Sequence, residues 1–143
     1  MKVIVDAMGG DNAPQEIIKG ALQAQKELGV ELVLVGQKEA VEACLQAEHA
    51  TVAQIVDARE VITMDDDPST ATRRKKDSSM AVALKMLHDG AGDAVVSAGS
   101  TGALLTGATL TVKRIRGIRR AALAPVLPNG GKGVMLIDCG ANV

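Results

Sequence analysis

The sequence contains no phenylalanine, tyrosine or tryptophan. Without aromatic faces it lacks the platforms on which single-stranded nucleic acids stack. Its net charge of −1 gives no overall cationic field for a phosphate backbone or an anionic membrane, so nucleic acid is not an expected partner. Its two cysteines, Cys44 and Cys139, stand far apart and form no CxxC, which reads as a reduced, cytoplasmic protein. No His, Cys, Asp and Glu cluster has metal-ligand spacing, and neither a metal nor another cofactor is expected. No apolar run approaches the ~20 residues that span a bilayer. The start, Met1-Lys2-Val3-Ile4-Val5-Asp6, meets an acid too early to read as a signal peptide. Nucleotide fingerprints are missing too. Asp6-Ala7-Met8-Gly9-Gly10-Asp11 is not GxGxxG, and Gly36 stands where a ribose-binding acid is expected. Gly130-Gly131-Lys132-Gly133 lacks the P-loop spacing.

What is present is an aliphatic chain of 143 residues, 47% hydrophobic, long enough for one domain with a real core. Apolar runs alternate with helical periodicity. Val3–Val5, Leu32–Val35, Val52–Val56 and Ala94–Ser97 read as strands. Ile17, Ile18, Ala21, Leu22, Gln25 and Leu28 follow helical spacing, with Asp11 or Asn12 as cap, Pro14 in the first turn and Gly29 as the stop. Further helices are expected over Lys38–Ala47, from Ser78 or Ser79 to near Gly90, and over Thr101–Ile115. Val61–Arg74 breaks the rhythm, and Ala121–Leu127 and Val134–Ile137 read as two more strands. The pattern predicts an α/β fold: a mainly parallel sheet with helices on both faces, Rossmann-like and three-layered. The end, Asp138-Cys139-Gly140-Ala141-Asn142-Val143, is a strand and turn where a helix should follow. Residues 1–143 therefore read as the N-terminal α/β domain of a longer protein.

Three loops are expected at the carboxyl edge of the sheet, where open α/β sheets bind ligands: Asp6–Asp11, Ser97–Gly102 and Asp138–Asn142. In the second, an apolar strand runs through Gly99, Ser100 and Thr101 straight into a helix. Its small residues and unpaired N–H groups suit a phosphate; helix capping by Ser100 or Thr101 alone is the plainer alternative. Arg73-Arg74-Lys75-Lys76 is either a solvated face or, ahead of a Ser-Ser helix start, part of an anion site. Lys113, Arg114, Arg116, Arg119 and Arg120 suit a helix C-terminus or an acidic protein partner. His49 and His88 read as helix-end residues and Cys44 as a core filler. Cys139 has no evident base beside it to make a nucleophile.

Four segments taken together resemble one family. They are Asp6-Ala7-Met8-Gly9-Gly10-Asp11 with Ala13-Pro14, Arg73-Arg74-Lys75-Lys76-Asp77-Ser78-Ser79-Met80, Ser97-Ala98-Gly99-Ser100-Thr101-Gly102-Ala103-Leu104, and Asp138-Cys139-Gly140-Ala141-Asn142. In this order they resemble the bacterial phosphate acyltransferases of phospholipid synthesis, whose members are about twice as long. The family often has Asn where Ser100 stands and Val where Cys139 stands; Ser keeps a hydroxyl donor, and the second departure speaks against a required thiol.

The resemblance implies a fold similar to the isopropylmalate dehydrogenase and phosphotransacetylase group. It implies that inorganic phosphate takes a fatty acyl group from acyl-acyl carrier protein. The acyl phosphate then feeds a glycerol-3-phosphate acyltransferase. It also implies a homodimer with peripheral membrane association at the inner face of the cell membrane. Phosphate holding is assigned to Ser97, Gly99, Ser100, Thr101 and Gly102, with Gly9, Gly10 and Asp11 beside it and Arg73, Arg74 and Lys76 offsetting charge. Asn142, with N–H groups at Gly9, Gly10 or Gly140, is the candidate for steadying the developing oxyanion. Asp6 and Asp138 are expected to orient the loops. Two other readings stand beside this one: a phosphotransacetylase-like enzyme using acyl-coenzyme A, and a non-catalytic phosphate- or nucleotide-binding module.

Overall fold

Aliphatic strands alternate with helices through the first of two units, Met1–Val112. The computed structural model describes residues 1–52 and 54–137. The strands are β1 (Lys2–Asp6), β2 (Glu31–Gly36), β3 (Gln54–Asp57) and β4 (Ala94–Val96). The helices are α1 (Gln15–Leu28), α2 (Lys38–Ala47), a single turn α3 (Ala71–Arg74), α4 (Ser79–His88) and α5 (Thr101–Thr111). The strands form one parallel sheet in the order β3-β2-β1-β4, with Val3 in register with Leu32 and Ala94.

Alternation along the strands gives the sheet two buried faces. Val5, Leu32 and Leu34 pack with Ile18 and Ala21 of α1 and with Val41 and Leu45 of α2. Ile4, Val33 and Val35 pack with Ala58 and with Ala83 of α4. Each of these large aliphatic side chains contributes roughly 1.5–3 kcal/mol by leaving water. The result is the expected three-layer α/β arrangement. A further cluster joins Ile62, Ala71, Met80, Leu84 and Ala103, so that α5 sits against α3 and α4. Gly107 permits that approach: a Cβ there would lie 2.7 Å from Leu84 Cδ1 and 2.8 Å from Thr72 Cγ2.

Helix ends show where local signals held and where they did not. Gly29 ends α1 in the left-handed region, φ 64°, donating to the Gln25 carbonyl. Neither Asp11 nor Asn12 caps α1. Pro14 is the N-cap, and the first helical N–H groups are met by main-chain carbonyls, Glu16 N–H to Asn12 O and Ile18 N–H to Pro14 O. Ser78 caps α4 as expected, accepting from Ala81 N–H. α5 stops at Thr111, short of Ile115, because Lys113 turns the backbone to φ 72°. The irregular stretch Val61–Arg74 contains the one-turn α3, seeded by Asp67, whose main-chain carbonyl accepts from Thr70 and Ala71 N–H.

The second unit begins at Lys113. Its described strands are β5 (Val126–Leu127) and β6 (Val134–Met135), shorter than expected and paired antiparallel. The connection between them is too short for a parallel crossover, which takes roughly a dozen residues or more. Asn129 Oδ1 closes the turn by accepting from Gly131 and Gly133 N–H at 3.1 and 3.0 Å.

Candidate functional site

The strand order places β1 beside both β2 and β4, so the chain leaves β1 toward one side of the sheet and returns on the other. This is a topological switch point, and a crevice opens there at the carboxyl ends of the strands. The loops that follow β1 and β4 leave the sheet at that place.

A buried acid ties the two loops together. Asp6, 1% exposed, ends β1. Its Oδ2 accepts from the Ser97 hydroxyl at 2.7 Å, and its Oδ1 accepts from Met8 N–H at 3.3 Å. Ser97 Oγ in turn accepts from Gly99 N–H at 3.1 Å. Gly9 lies at the closest approach of the loops. A Cβ on it would fall 2.5 Å from Asp6 Oδ2 and 2.9 Å from the Gly99 nitrogen. The glycine is thus required by space rather than by backbone angle.

Against this junction lies a pocket of about 180 Å³. Met8, Gly10 and Asp11 come from the β1 loop, and Ala98, Gly99 and Ser100 from the β4 loop. The remaining wall is Val61-Ile62-Thr63-Met64. Drug-sized ligands occupy roughly 300–1,000 Å³, so this space suits a small ligand. The lining combines small residues at the start of α5 with the mostly apolar stretch Val61–Met64. Ser100, 6% exposed, also caps α5 by accepting from Ala103 N–H at 3.4 Å.

The expected site residues are distributed unevenly around this pocket. Gly10, Asp11, Gly99 and Ser100 line it. Asp6, Gly9 and Ser97 stand behind it as the junction. The Ser97 hydroxyl donates to Asp6 and its oxygen accepts from Gly99 N–H. Thr101 is exposed at the first turn of α5. Gly102 meets Pro68, where a Cβ would approach Pro68 Cβ to 2.9 Å. Arg73 and Arg74 in α3 and Lys76 after it are exposed and do not line the pocket. Asp138, Cys139, Gly140 and Asn142 lie outside the described residues. His49 and His88 are exposed at helix ends.

Sequence reasoning assigned no site role to Met8 or to the wall Val61–Met64, and read Lys75 only as one member of the cationic run. Lys75 is the member of the cationic run that turns inward, donating to Val61 O at 2.8 Å and to Asp66 Oδ2 at 2.6 Å. The hydrogen bond from Lys75, helped by Thr63 N–H, holds the Asp66 carboxyl below its ordinary range. The Ser69 hydroxyl, with the Ser69 N–H, does the same for Asp67. The acidic run is therefore local scaffolding. An apolar, β-branched stretch just before three aspartates was the available signal for the wall, but it has no periodicity.

Among the described residues no group of His, Cys, Asp and Glu is placed to hold a metal ion, and no helix is long and apolar enough to cross a membrane.

Comparison with known proteins gives a consistent picture. Residues 1–143 match the family described as "Fatty acid synthesis protein". A phosphate acyltransferase of Clostridium kluyveri is 49% identical over 146 residues, covering 100% of this chain and 43% of that protein. A phosphate acyltransferase of Desulfitobacterium hafniense is 48% identical over 143 residues, covering 99% of this chain and 43% of that protein. The chain thus spans 43% of the length of these curated relatives. Among solved structures, EutD phosphotransacetylase from Staphylococcus aureus superposes with a TM-score of 0.63 at 17% identity, over 97% of this chain and 46% of that one. A phosphotransacetylase from Streptococcus pyogenes gives 0.63 at 18% identity, again over 97% and 46%. At that identity the likeness is one of fold.

Proposed function

The chain belongs to the fatty acid synthesis protein family, and from that premise we propose that the full-length protein carrying it transfers a fatty acyl group from a thioester to inorganic phosphate. The observation that carries this reading is the Asp6–Ser97–Gly99 junction, which holds two loops rigidly beside a small pocket at the switch point. The relatives named phosphate acyltransferase support it.

In this reading phosphate sits at Gly99, Ser100 and the start of α5, with Gly10 across from it, where the helix N-terminus favours an anion. A phosphate oxygen attacks the thioester carbon, and a C–O bond forms as the carbonyl oxygen takes up negative charge. Collapse of that intermediate breaks the C–S bond, and the thiolate leaves and is protonated by solvent. Holding phosphate in line with the carbon lowers the barrier without a covalent enzyme intermediate. Asp6 and Ser97 keep the loops in place; Thr101, Gly102 and the cations Arg73, Arg74 and Lys76 support phosphate from outside the pocket. Asp11 lies on the rim beside the reacting groups. Roles for Asp138 in orienting a loop and for the Asn142 amide in steadying the oxyanion rest on the family resemblance and belong to the same proposal. Acyl carrier protein as donor, a following glycerol-3-phosphate acyltransferase, a homodimer and peripheral membrane contact rest on the family resemblance and belong to the same proposal.

The test mixes the full-length protein with acyl-acyl carrier protein and follows thiol release with and without phosphate, trapping acyl phosphate with hydroxylamine. Phosphate-dependent release with a trapped product is expected. Combined Ser100→Ala and Thr101→Ala should raise the KM for phosphate. Release that ignores phosphate would refute the proposal, phosphate binding without turnover would favour a binding module, and preference for acyl-coenzyme A would replace the donor.

A further inference from the structure

Lys75 sits in a run of four cations but does not face solvent with them. Its Nζ donates to the Val61 carbonyl and to Asp66 Oδ2, at 2.8 and 2.6 Å. The same carboxylate oxygen accepts from Thr63 N–H at 2.7 Å and from the Thr63 hydroxyl at 3.1 Å. Asp66 and Lys75 thus clamp Val61 and Thr63 from one side. From the other, Ile62 is 6% exposed and embedded with Ala71, Met80 and Leu84. At the root, Glu60 pairs with Ser78 in a parallel bridge, its N–H donating to Asp77 O and its carbonyl accepting from Ser79 N–H. The outcome is a defined aliphatic wall that ends at Met64, which is 73% exposed. An exposed methionine at the lip of a pocket is an adaptable apolar contact.

We infer that the Lys75–Asp66 pair is a latch that positions Val61–Met64 as the wall receiving the first carbons of an aliphatic acyl group, in the same pocket as the small residues that receive phosphate. The inference rests on the acyl-transfer reading above and deepens it. The reasoning is chemical. An acyl thioester meeting phosphate brings one apolar and one anionic group to a single point. The pocket is lined both by apolar residues, Met8 and Val61–Met64 among them, and by Gly99 and Ser100. The wall lies in the segment between β3 and α3; the bridge at Glu60 and buried Ile62 anchor it, and the latch holds Val61 and Thr63. Lys75 and Asp66 are positioning residues in this scheme, since neither lines the pocket.

The experiment uses the full-length protein with Lys75→Met, Asp66→Asn and Lys75→Arg. Lys85→Met, at an exposed α4 pair with Asp89, is the control. Two readouts are taken: steady-state constants for acyl donor and phosphate separately, and amide hydrogen exchange over residues 61–67. Lys75→Met and Asp66→Asn should each raise the KM for acyl donor at least fivefold, leave the KM for phosphate within twofold, and speed exchange in 61–67 tenfold or more. Lys75→Arg, which keeps a donor, should recover most of both effects, and Lys85→Met should change neither. Unchanged exchange would overturn the latch. Faster exchange with an unchanged acyl-donor KM would overturn the wall's role in binding the acyl group, as would equal rises in both KM values. If the unaltered protein shows no phosphate-dependent turnover, the acyl-transfer reading falls and the acyl role of the wall with it, while the exchange measurement still decides the latch.

Discussion

Replacing Gly9 with alanine adds one carbon where the two site loops meet. That carbon would sit 2.5 Å from Asp6 Oδ2, 2.9 Å from the Gly99 nitrogen and 3.0 Å from Ser97 Oγ, against an ordinary contact of 3.4 Å or more. None of the three neighbours can swing away freely. Asp6 is 1% exposed and accepts hydrogen bonds at both oxygens, Gly99 contributes backbone, and Ser97 is held by both. Overpacking of this kind costs about 1–3 kcal/mol. Losing the Ser97–Asp6 hydrogen bond as the loops part adds about 1 kcal/mol more. A total of about 2–4 kcal/mol follows, enough to lower the urea midpoint by about 1 M or more at ordinary slopes. The matching control is Gly20→Ala in α1, where a Cβ would meet nothing within 4 Å. There the substitution should stabilise by about 0.5–1 kcal/mol through helix propensity. Equilibrium urea unfolding of the two variants measures the contrast directly. A Gly9→Ala protein as stable as the unaltered one, or a Gly20→Ala protein that loses as much, would refute the steric account of the junction.

Three further outcomes are expected. Asp6→Asn keeps the shape but leaves one acceptor for two donors, Ser97 Oγ–H and Met8 N–H; it should cost about 1–3 kcal/mol in thermal or urea unfolding and raise the KM for phosphate as the β4 loop shifts. Gly107→Ala should cost about 1–3 kcal/mol by pressing on Leu84 and Thr72, with the phosphate KM unchanged because α5 meets α4 away from the pocket. The Lys75 hydrogen bond lowers the Asp66 carboxyl from its usual 3.8. A group lowered on folding contributes fully above its unfolded value and loses that contribution as pH falls through the folded one. Hydrogen exchange over 61–67 should therefore be insensitive to this pair above about pH 5 and show the loss of protection below about pH 4; Asp66→Asn should remove the acid dependence.

Much of the fold was legible because its signals are local. Lys38–Ala47 could be read residue for residue from its apolar spacing, and Gly29 and Ser78 marked helix ends through backbone freedom and a capping hydroxyl. Asp11 and Asn12 misled because either could cap, yet Pro14 and main-chain carbonyls met the need first. Strand periodicity carries no direction, so the antiparallel pairing of β5 and β6 is set by the short link and by Asn129. In the site, Gly9, Gly10, Gly99 and Ser100 stood out as small residues at strand ends. The partner wall did not, because Val61–Met64 has neither periodicity nor a turn signature, and its hydrogen bonds come from Lys75 and Asp66 further along the chain.

The sequence by itself determined the alternation of strand and helix, the aliphatic faces of the sheet and the small-residue loops at the strand ends, since each follows from the period of hydrophobicity and the backbone preferences of nearby residues. Only the tertiary structure decided that Asp6 and Ser97, far apart along the chain, would share a hydrogen bond, and that of four neighbouring cations Lys75 alone would turn inward. Those choices depend on which strands lie side by side and on which charge finds a partner at 2.6 Å, and no local preference encodes either.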